Sequence, residues 1–204
     1  MLRVGLTGGL ASGKSSVARA LAREGLPVRD ADLVVRELYE PGQPGALAIA
    51  SAFGPEFLDE SGAVARARLG AHVFGHPDRV ARLNALIHPL VHAEHARWFH
   101  ELERAGERLG VVEATLLLES GGRARFDVVV TVSAPEDVRL ARAAARNPEV
   151  PVEELRDRMR AQLGDTRREE LSDVVLRNDG SEEALVAKAR ALARQLRERA
   201  AQSF

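Results

Sequence analysis

Cysteine is absent from the 204-residue chain, and aromatic side chains are scarce. Without cysteine there is no disulfide framework, no thiolate catalysis and no thiolate metal site. Aromatic residues make up 4% of the chain and the formal net charge is −1, so neither stacking platforms nor a broad positive field favours nucleic acid or anionic lipid. No stretch approaches the ~18 apolar residues of a membrane helix, and the N-terminus lacks a signal-peptide pattern. We therefore expect a cytoplasmic protein without nucleic-acid or membrane partners.

Lysine is also rare, because 27 of the 29 basic residues are arginine and the only lysines are Lys14 and Lys188. The position of each lysine is therefore informative. The length, together with 45% apolar residues, fits one globular unit of roughly 100 to 250 residues.

Apolar runs typical of strands alternate with helical patterns along the chain. The strand-like runs lie near residues 2–7, 28, 111–118, 128–132 and 174–177. Helical patterns separate them, and a mostly helical block covers residues 45–106. We interpret residues 164–170 as a polar connection. Strands spaced by helices predict an α/β fold with a parallel five-stranded sheet.

A glycine-rich stretch between the first strand and the first helix carries the clearest chemical signal. Its sequence, Gly8-Gly9-Leu10-Ala11-Ser12-Gly13-Lys14-Ser15, matches the G-x-x-x-x-G-K-[ST] phosphate-loop pattern, for which chance gives roughly 0.001 matches in this composition. Glycines let backbone N–H groups converge on phosphate oxygens, and the helix N-terminus adds partial positive charge. Lys14 is then expected to reach the β and γ phosphates, and Ser15 to bind Mg²⁺.

The phosphate loop alone does not define the reaction. The Asn-Lys-x-Asp guanine reader of GTPases is missing, because Lys188 lies in a different context. A kinase acting on a hydroxyl needs a carboxylate near the acceptor oxygen. Asp30 and Asp32 follow the second strand, at the sheet edge where α/β proteins bind ligands. The alternative for Asp32 is a helix N-cap, but with two carboxylates here we expect at least one to be functional.

Further motifs follow in an order that is specific to one family, and the chain resembles the dephospho-CoA kinases over nearly its whole length. Beyond the phosphate loop, the residues that carry this resemblance are Asp30-Ala31-Asp32, Pro41-Gly42, Phe53-Gly54, Arg66, Leu69, Val73-Phe74, His88-Pro89, Leu116-Leu117, Glu119, Arg142, Arg146, Gln162 and Asn178-Asp179-Gly180-Ser181.

The resemblance implies a three-layer P-loop kinase that transfers the ATP γ-phosphate to the 3′-hydroxyl of dephospho-CoA, with Mg²⁺ as cofactor. It implies a core of residues 1–40, 107–146 and 171–204, a helical coenzyme-A-binding insertion at about 41–106, and a lid at about 147–170. Members of the family occur as monomers and as trimers, so the assembly stays open between a monomer and a homo-oligomer. The alternatives are another P-loop metabolite kinase, such as a nucleoside monophosphate kinase, and a nucleotide-binding regulatory protein.

The resemblance also assigns roles to individual residues. Asp32 is the expected base, with Lys14 and Arg142 stabilising charge. The expected ATP-binding residues are Gly9, Leu10, Ala11, Ser12, Gly13, Lys14, Ser15, Ser16, Arg142, Arg146 and Asn178. The expected substrate-binding residues are Thr7, Asp30, Asp32, Arg66 and His88, and Ser15 is the expected metal ligand.

Several of these positions have ordinary structural alternatives. His88 could end a helix before Pro89, and Asn178 could belong to a simple turn. Glu113 and Glu119 flank the third strand, and we interpret them as solvated strand ends, with water-mediated Mg²⁺ binding as the alternative. Other arginines, including Arg160, Arg167 and Arg168, are interpreted mainly as solvated surface.

The chain departs from the family pattern at a few positions. Relatives usually have proline and phenylalanine where this chain has Thr115 and Leu118, and Leu-Asp-Arg where it has Val64-Ala65-Arg66. The run 164–168 differs from the usual serine-arginine-glutamate form. None of these departures removes the phosphate loop, Asp32, or the two arginines beside the expected lid, Arg142 and Arg146.

Overall fold

The computed structural model describes residues 1–202 of the chain. Five strands form its sheet: β1 Leu2–Gly8, β2 Val28–Asp30, β3 Leu109–Glu113, β4 Val128–Ser133 and β5 Val174–Arg177. The helices are α1 Lys14–Arg23, α2 Ala31–Leu38, α3 Pro44–Phe53, α4 Arg66–Val73, α5 Pro77–Arg104, α6 Glu136–Arg146, α7 Val152–Arg160, α8 Asp165–Glu170 and α9 Glu182–Gln202. Short 3₁₀ turns lie at Pro55–Phe57 and Gly122–Arg125.

The sheet is parallel, with the strand order β2-β3-β1-β4-β5. The prediction of an α/β fold with a five-stranded parallel sheet is therefore confirmed. Central strand β1 pairs with β3 in the register Val4–Val111 and with β4 in the register Val4–Val128. These strands are near-continuous apolar runs because a central parallel strand is buried on both faces. The order places the loop after β1 between the ends of β3 and β4.

Two compact units make up the described chain, and each has its own apolar core. Residues 1–29 and 101–202 contain the sheet, where α1 and α9 contact each other and contribute Leu21, Leu192 and Leu196 to the core. Residues 30–100 form a helical unit around a separate cluster that includes Ile49 and Leu69. The predicted insertion at about 41–106 overlaps the second unit, and its assignment to coenzyme A binding stays a prediction.

Two local expectations are wrong. Strand β3 ends at Glu113 rather than near residue 118, because residues 115–120 form turns and Leu116 is exposed. The polar run at 164–170 is not a simple connection, because Asp165–Glu170 form helix α8, on which the side chain of Arg168 is buried. Pro89 lies inside α5, where it removes one backbone hydrogen bond, but burial of Ile87 and Val91 along the same helix stabilises its continuation.

Among residues 1–202, no helix combines the length and the apolar character that crossing a bilayer requires.

Candidate active site

The backbone of the glycine-rich loop is shaped for close contact with an anion. Ala11 and Gly13 both have left-handed φ angles, 58° and 99°. Gly13 occupies the N-cap position of α1 and, as a glycine, offers no side chain to cap this helix end. The first N–H groups of α1 therefore have no side-chain cap, which is the arrangement that phosphate-binding helices use.

Lys14 and Ser15, the first two residues of α1, share one carboxylate oxygen of Glu113. The Lys14 ammonium donates to Glu113 Oε1 over 2.8 Å, and the Ser15 hydroxyl donates to the same oxygen over 2.7 Å. Glu113 is only 6% exposed, so its interpretation as a solvated strand end is wrong. Its burial reflects the parallel pairing of β1 and β3, which brings the end of β3 beside the phosphate loop.

Asn178 follows β5 and supports the other side of the loop. Its side-chain Nδ2 donates to the carbonyl of Ser12 over 2.8 Å, and its backbone N–H donates to Ser133 over 2.7 Å. The Arg142 guanidinium lies 3.5 Å from both oxygens of Asn178. Asn178 is 6% exposed and lies in the connection between β5 and α9, so its side chain supports the loop from a buried position.

A pocket of about 310 Å³ opens beside this asparagine. It is lined by Gly13, Ser16, Arg19, Arg142, Arg146, Asn178, Glu182 and Leu185. Helix α6 places Arg142 and Arg146 one turn apart, so both guanidiniums reach the same pocket. The structure thus brings most of the expected ATP-binding residues together.

Leu10 and Ala11 of the loop contact helices α6 and α7 and the segment that follows α7. The Leu10 N–H donates to Gln162 Oε1 over 2.8 Å. Leu10 and Ala11 pack against an apolar cluster formed by Ala143, Leu155 and Met159. The buried Ser12 hydroxyl has no hydrogen-bond partner among the residues described.

Two buried arginines beside Gly9 were missed by sequence reasoning. Arg139 is 5% exposed and Arg168 is 1% exposed, and both guanidiniums lie against the backbone of Gly9. The interpretation of Arg168 as solvated surface is therefore wrong. Glu119 is also not a strand end, because it accepts hydrogen bonds from Arg168 and from the Leu163 N–H.

Thr7 is fully buried in β1, and its hydroxyl donates to the Thr115 carbonyl over 3.2 Å. The hydroxyl therefore stabilises the turn after β3. A role for Thr7 in substrate binding stays a prediction.

Asp30 and Asp32 lie at the start of α2, in the helical unit. Asp30 is the N-cap of α2, and its carboxylate accepts a 2.8 Å hydrogen bond from the Asp32 N–H. Asp32 lies within the first turn of α2 with an exposed side chain. The alternative that Asp32 caps the helix is therefore wrong, because Asp30 already satisfies that end of the backbone.

Two other expected substrate-binding residues lie in the same unit. Arg66 starts α4, and its charge acts on Tyr39: burial raises the pKa of the Tyr39 phenol, and Arg66 lowers it in part. His88 is half-buried in the middle of α5, with its ring centroid 6.0 Å from that of His92. It does not end a helix, as the alternative interpretation required.

The fold and the loop together define a class of protein. A glycine-rich turn joins the central parallel strand to a helix, with a lysine and a serine at the helix start and a carboxylate at the neighbouring strand end. These features characterise a P-loop kinase fold. A crystal structure of a Thermus thermophilus protein superposes with a TM-score of 0.73 at 31% identity, covering 96% of this chain and 97% of that one. The dephospho-CoA kinase of Campylobacter jejuni shares the fold, with a TM-score of 0.65 at 19% identity over 95% of this chain and 96% of that one.

Sequence comparison then identifies the family. The dephospho-CoA kinase family model matches residues 2–184. The dephospho-CoA kinase of Corynebacterium glutamicum is 40% identical over 93% of this chain and 94% of its own length. The one from Thermobifida fusca is 41% identical over 92% of each chain. This chain belongs to the dephospho-CoA kinase family, and the resemblance inferred from its motifs is confirmed.

Proposed function

We propose that this chain transfers the γ-phosphate of ATP to the 3′-hydroxyl of dephospho-CoA, producing coenzyme A and ADP. The observation that carries the proposal is the shared contact of Lys14 and Ser15 with buried Glu113, in a chain of the dephospho-CoA kinase family. This arrangement holds a cation and a hydroxyl at the start of α1, where the terminal phosphates of a bound nucleotide would lie.

The nucleotide would bind along the loop and the adjoining pocket. The backbone of the loop from Gly9 to Ser16 would surround the phosphates. The N–H groups at the start of α1 would donate to them, and Lys14 would neutralise the β and γ oxygens. The pocket beside the loop is lined by Arg142, Arg146 and Asn178. It would hold the part of the nucleotide that lies beyond the β and γ phosphates. Phosphoryl transfer depends mainly on positioning and charge neutralisation, and these are the functions that such side chains supply.

The residues beside the loop also fit a Mg²⁺ ion. Mg²⁺ prefers oxygen ligands, and it commonly takes one or two from the protein and others from substrate phosphates and water. Ser15 and Glu113 offer a hydroxyl and a carboxylate in direct contact. Bound there, Mg²⁺ would supply charge neutralisation on the phosphate oxygens.

Asp32 would act on the acceptor. Its exposed carboxylate follows β2 by two residues, and Asp30 has taken the capping role. In the substrate complex, Asp32 would orient the 3′-hydroxyl and accept its proton as the oxygen attacks the γ-phosphorus. The new oxygen–phosphorus bond forms while the bond from the γ-phosphorus to the β–γ bridging oxygen breaks, and ADP leaves with the electron pair.

The remaining expected residues would serve the acceptor and exclude water. Arg66 and His88 belong to the helical unit that we assign to dephospho-CoA, and Asp30 and Thr7 would position nearby groups. Residues 147–170 would form the lid that keeps water from the γ-phosphate, since water would otherwise act as the acceptor. We place the reaction in the cytoplasm, as the lack of cysteine and the ATP requirement suggest.

A substrate panel tests the proposal. Purified protein is incubated with ATP and Mg²⁺ together with dephospho-CoA, AMP or no acceptor, and products are identified by mass spectrometry. We expect ADP and coenzyme A in equal amounts when dephospho-CoA is the acceptor, and no transfer to AMP. Formation of ADP from AMP as acceptor would instead indicate a nucleoside monophosphate kinase. ATP binding without transfer to any acceptor would indicate a regulatory nucleotide-binding protein.

A further inference from the structure

Two positively charged side chains are buried against the second residue of the phosphate loop. A Cβ atom added to Gly9 would lie 2.5 Å from Arg139 Nη1 and 3.5 Å from Arg168 Nη1. Arg139 comes from α6 and Arg168 from α8, so elements distant in sequence meet at this glycine. Two guanidiniums this close together and this deeply buried repel each other unless an anion lies between them.

Asp165 is that anion. Its two carboxylate oxygens are divided between the two arginines: Oδ2 accepts from Arg139 Nη2 over 2.5 Å, and Oδ1 accepts from Arg168 Nη1 over 2.8 Å. Each arginine has one further partner, since Arg139 Nε donates to the Ala134 carbonyl and Arg168 Nη2 donates to Glu119. Among residues 1–202, Asp165 alone accepts hydrogen bonds from both guanidiniums.

The segment from Gln162 to Arg168 also contacts Leu10, the loop residue after Gly9. Gln162, three residues before Asp165, accepts the Leu10 N–H. Glu119 accepts both Arg168 and the Leu163 N–H through one oxygen, which fixes the backbone between Gln162 and Asp165. Residues 162–168 therefore contact the phosphate loop at two consecutive positions, Gly9 and Leu10.

We propose that Asp165 is a positioning residue for nucleotide binding: it holds Arg139 and Arg168 against Gly9 and so keeps the phosphate loop in its binding conformation. The inference rests on the proposed function, because it assigns the loop to a nucleotide. Asp165 does not need to contact the nucleotide. It acts through the two arginines, whose guanidiniums lie beside Gly9.

The direction in which Asp165→Asn changes nucleotide affinity distinguishes a positioning role of Asp165 from a purely electrostatic one. Asp165 is a negative charge near an anion-binding loop, so its neutralisation would by charge alone strengthen nucleotide binding. Asparagine, however, has one acceptor oxygen and an NH₂ group, and a guanidinium offers only donors. In Asp165→Asn one arginine would face a donor, lose its hydrogen bond and move away from Gly9. Positioning therefore predicts weaker binding, the opposite of the charge effect.

A double-mutant cycle tests the proposal by calorimetric titration of Mg²⁺ and ADP into wild type, Asp165→Asn, Arg139→Gln and the double variant. We expect Asp165→Asn to weaken ADP binding about 10-fold in the wild-type background, and less than about 3-fold when Arg139 is already removed. The KM for dephospho-CoA should change less than about 2-fold, because the acceptor does not use this loop. Glu170→Gln, which removes an exposed ion pair with Arg167 on the same helix, is the matched control and should leave ADP binding unchanged.

Unchanged or tighter ADP binding in Asp165→Asn would overturn the proposal, as would the same weakening in both backgrounds. A lower melting temperature with unchanged ADP affinity would show a purely structural role and would also overturn it. If Asp165→Asn does not fold, Asp165→Glu replaces it, because the longer side chain keeps the charge but displaces the carboxylate, and weaker ADP binding is again expected. Wild-type protein that fails to bind ADP would contradict the proposed function itself.

Discussion

The substitution Glu113→Gln alters one buried oxygen that two side chains of the phosphate loop share. In the wild type, Oε1 accepts from the Lys14 ammonium over 2.8 Å and from the Ser15 hydroxyl over 2.7 Å. Glutamine has nearly the same shape, so the core packing is preserved. The amide oxygen can still accept both hydrogen bonds, but the negative charge that neutralises Lys14 is lost.

The expected cost follows from the burial of the pair. The Lys14 and Glu113 side chains are 12% and 8% exposed, so the remaining ammonium charge is poorly solvated. Breaking a buried ion pair by removing one partner costs about 3–5 kcal/mol, and the amide oxygen that remains places this case near 3 kcal/mol. For a chain of this length, each kcal/mol corresponds to roughly 2–4 °C, so the melting temperature should fall by roughly 6–12 °C.

Thermal melting without nucleotide measures this effect directly. Glu154→Gln is the matched control, because it removes a Glu–Arg pair with Arg158 that is about half exposed, and less than about 1 kcal/mol is expected there. If Glu113→Gln melts within about 2 °C of Glu154→Gln, then Glu113 does not hold the phosphate loop as we describe.

Three further results are expected. Asn178→Ala should lower the free energy of unfolding in urea by about 1–3 kcal/mol and weaken ADP binding, because the Ser12 carbonyl loses its donor; unchanged values for both would contradict this. The backbone N–H of Asp179 and the Lys188 ammonium lower the pKa of the Asp179 carboxyl, so this contact stabilises the fold above about pH 4 and is lost as pH falls through the lowered pKa. The difference in melting temperature between wild type and Asp179→Asn should therefore be smaller at about pH 3 than at about pH 6, and a constant difference would argue against it. Leu155→Ala should cost about 2–5 kcal/mol in a urea titration, since the side chain is 1% exposed in the cluster beside the loop; a cost below about 1 kcal/mol would show that the cluster collapses around the gap.

The phosphate loop could be predicted from sequence because its determinants are local. The apolar run of β1, the glycines that accept a positive φ, and the lysine and serine at the helix start are all adjacent in the chain. The alternation of strands and helices indicated the parallel sheet for the same reason. Strand β5 was predicted with its observed bounds, because charged and turn residues flank a short apolar run.

Features that depend on distant neighbours could not be predicted. Sequence reasoning predicts a solvated Glu113, because the pairing of β3 with β1 that buries it, and its partner Lys14, 99 residues earlier, are distant in the chain. Arg139 and Arg168 carry no local signal among 27 arginines, and only the packing of α6 and α8 brings them to Gly9. The sequence offers Asp32 as a cap of α2, whereas the backbone geometry at the start of this helix makes Asp30 the N-cap.

The proposed mechanism requires that the loop bind the nucleotide while Asp32 acts on the acceptor hydroxyl. Asp32→Asn tests it most directly, with turnover and ATP affinity measured on the same preparation. We expect kcat for dephospho-CoA phosphorylation to fall about 10²-fold or more, while the ATP dissociation constant stays within about 2-fold of wild type. Unchanged turnover, or an equal loss of turnover and ATP affinity, would contradict the account.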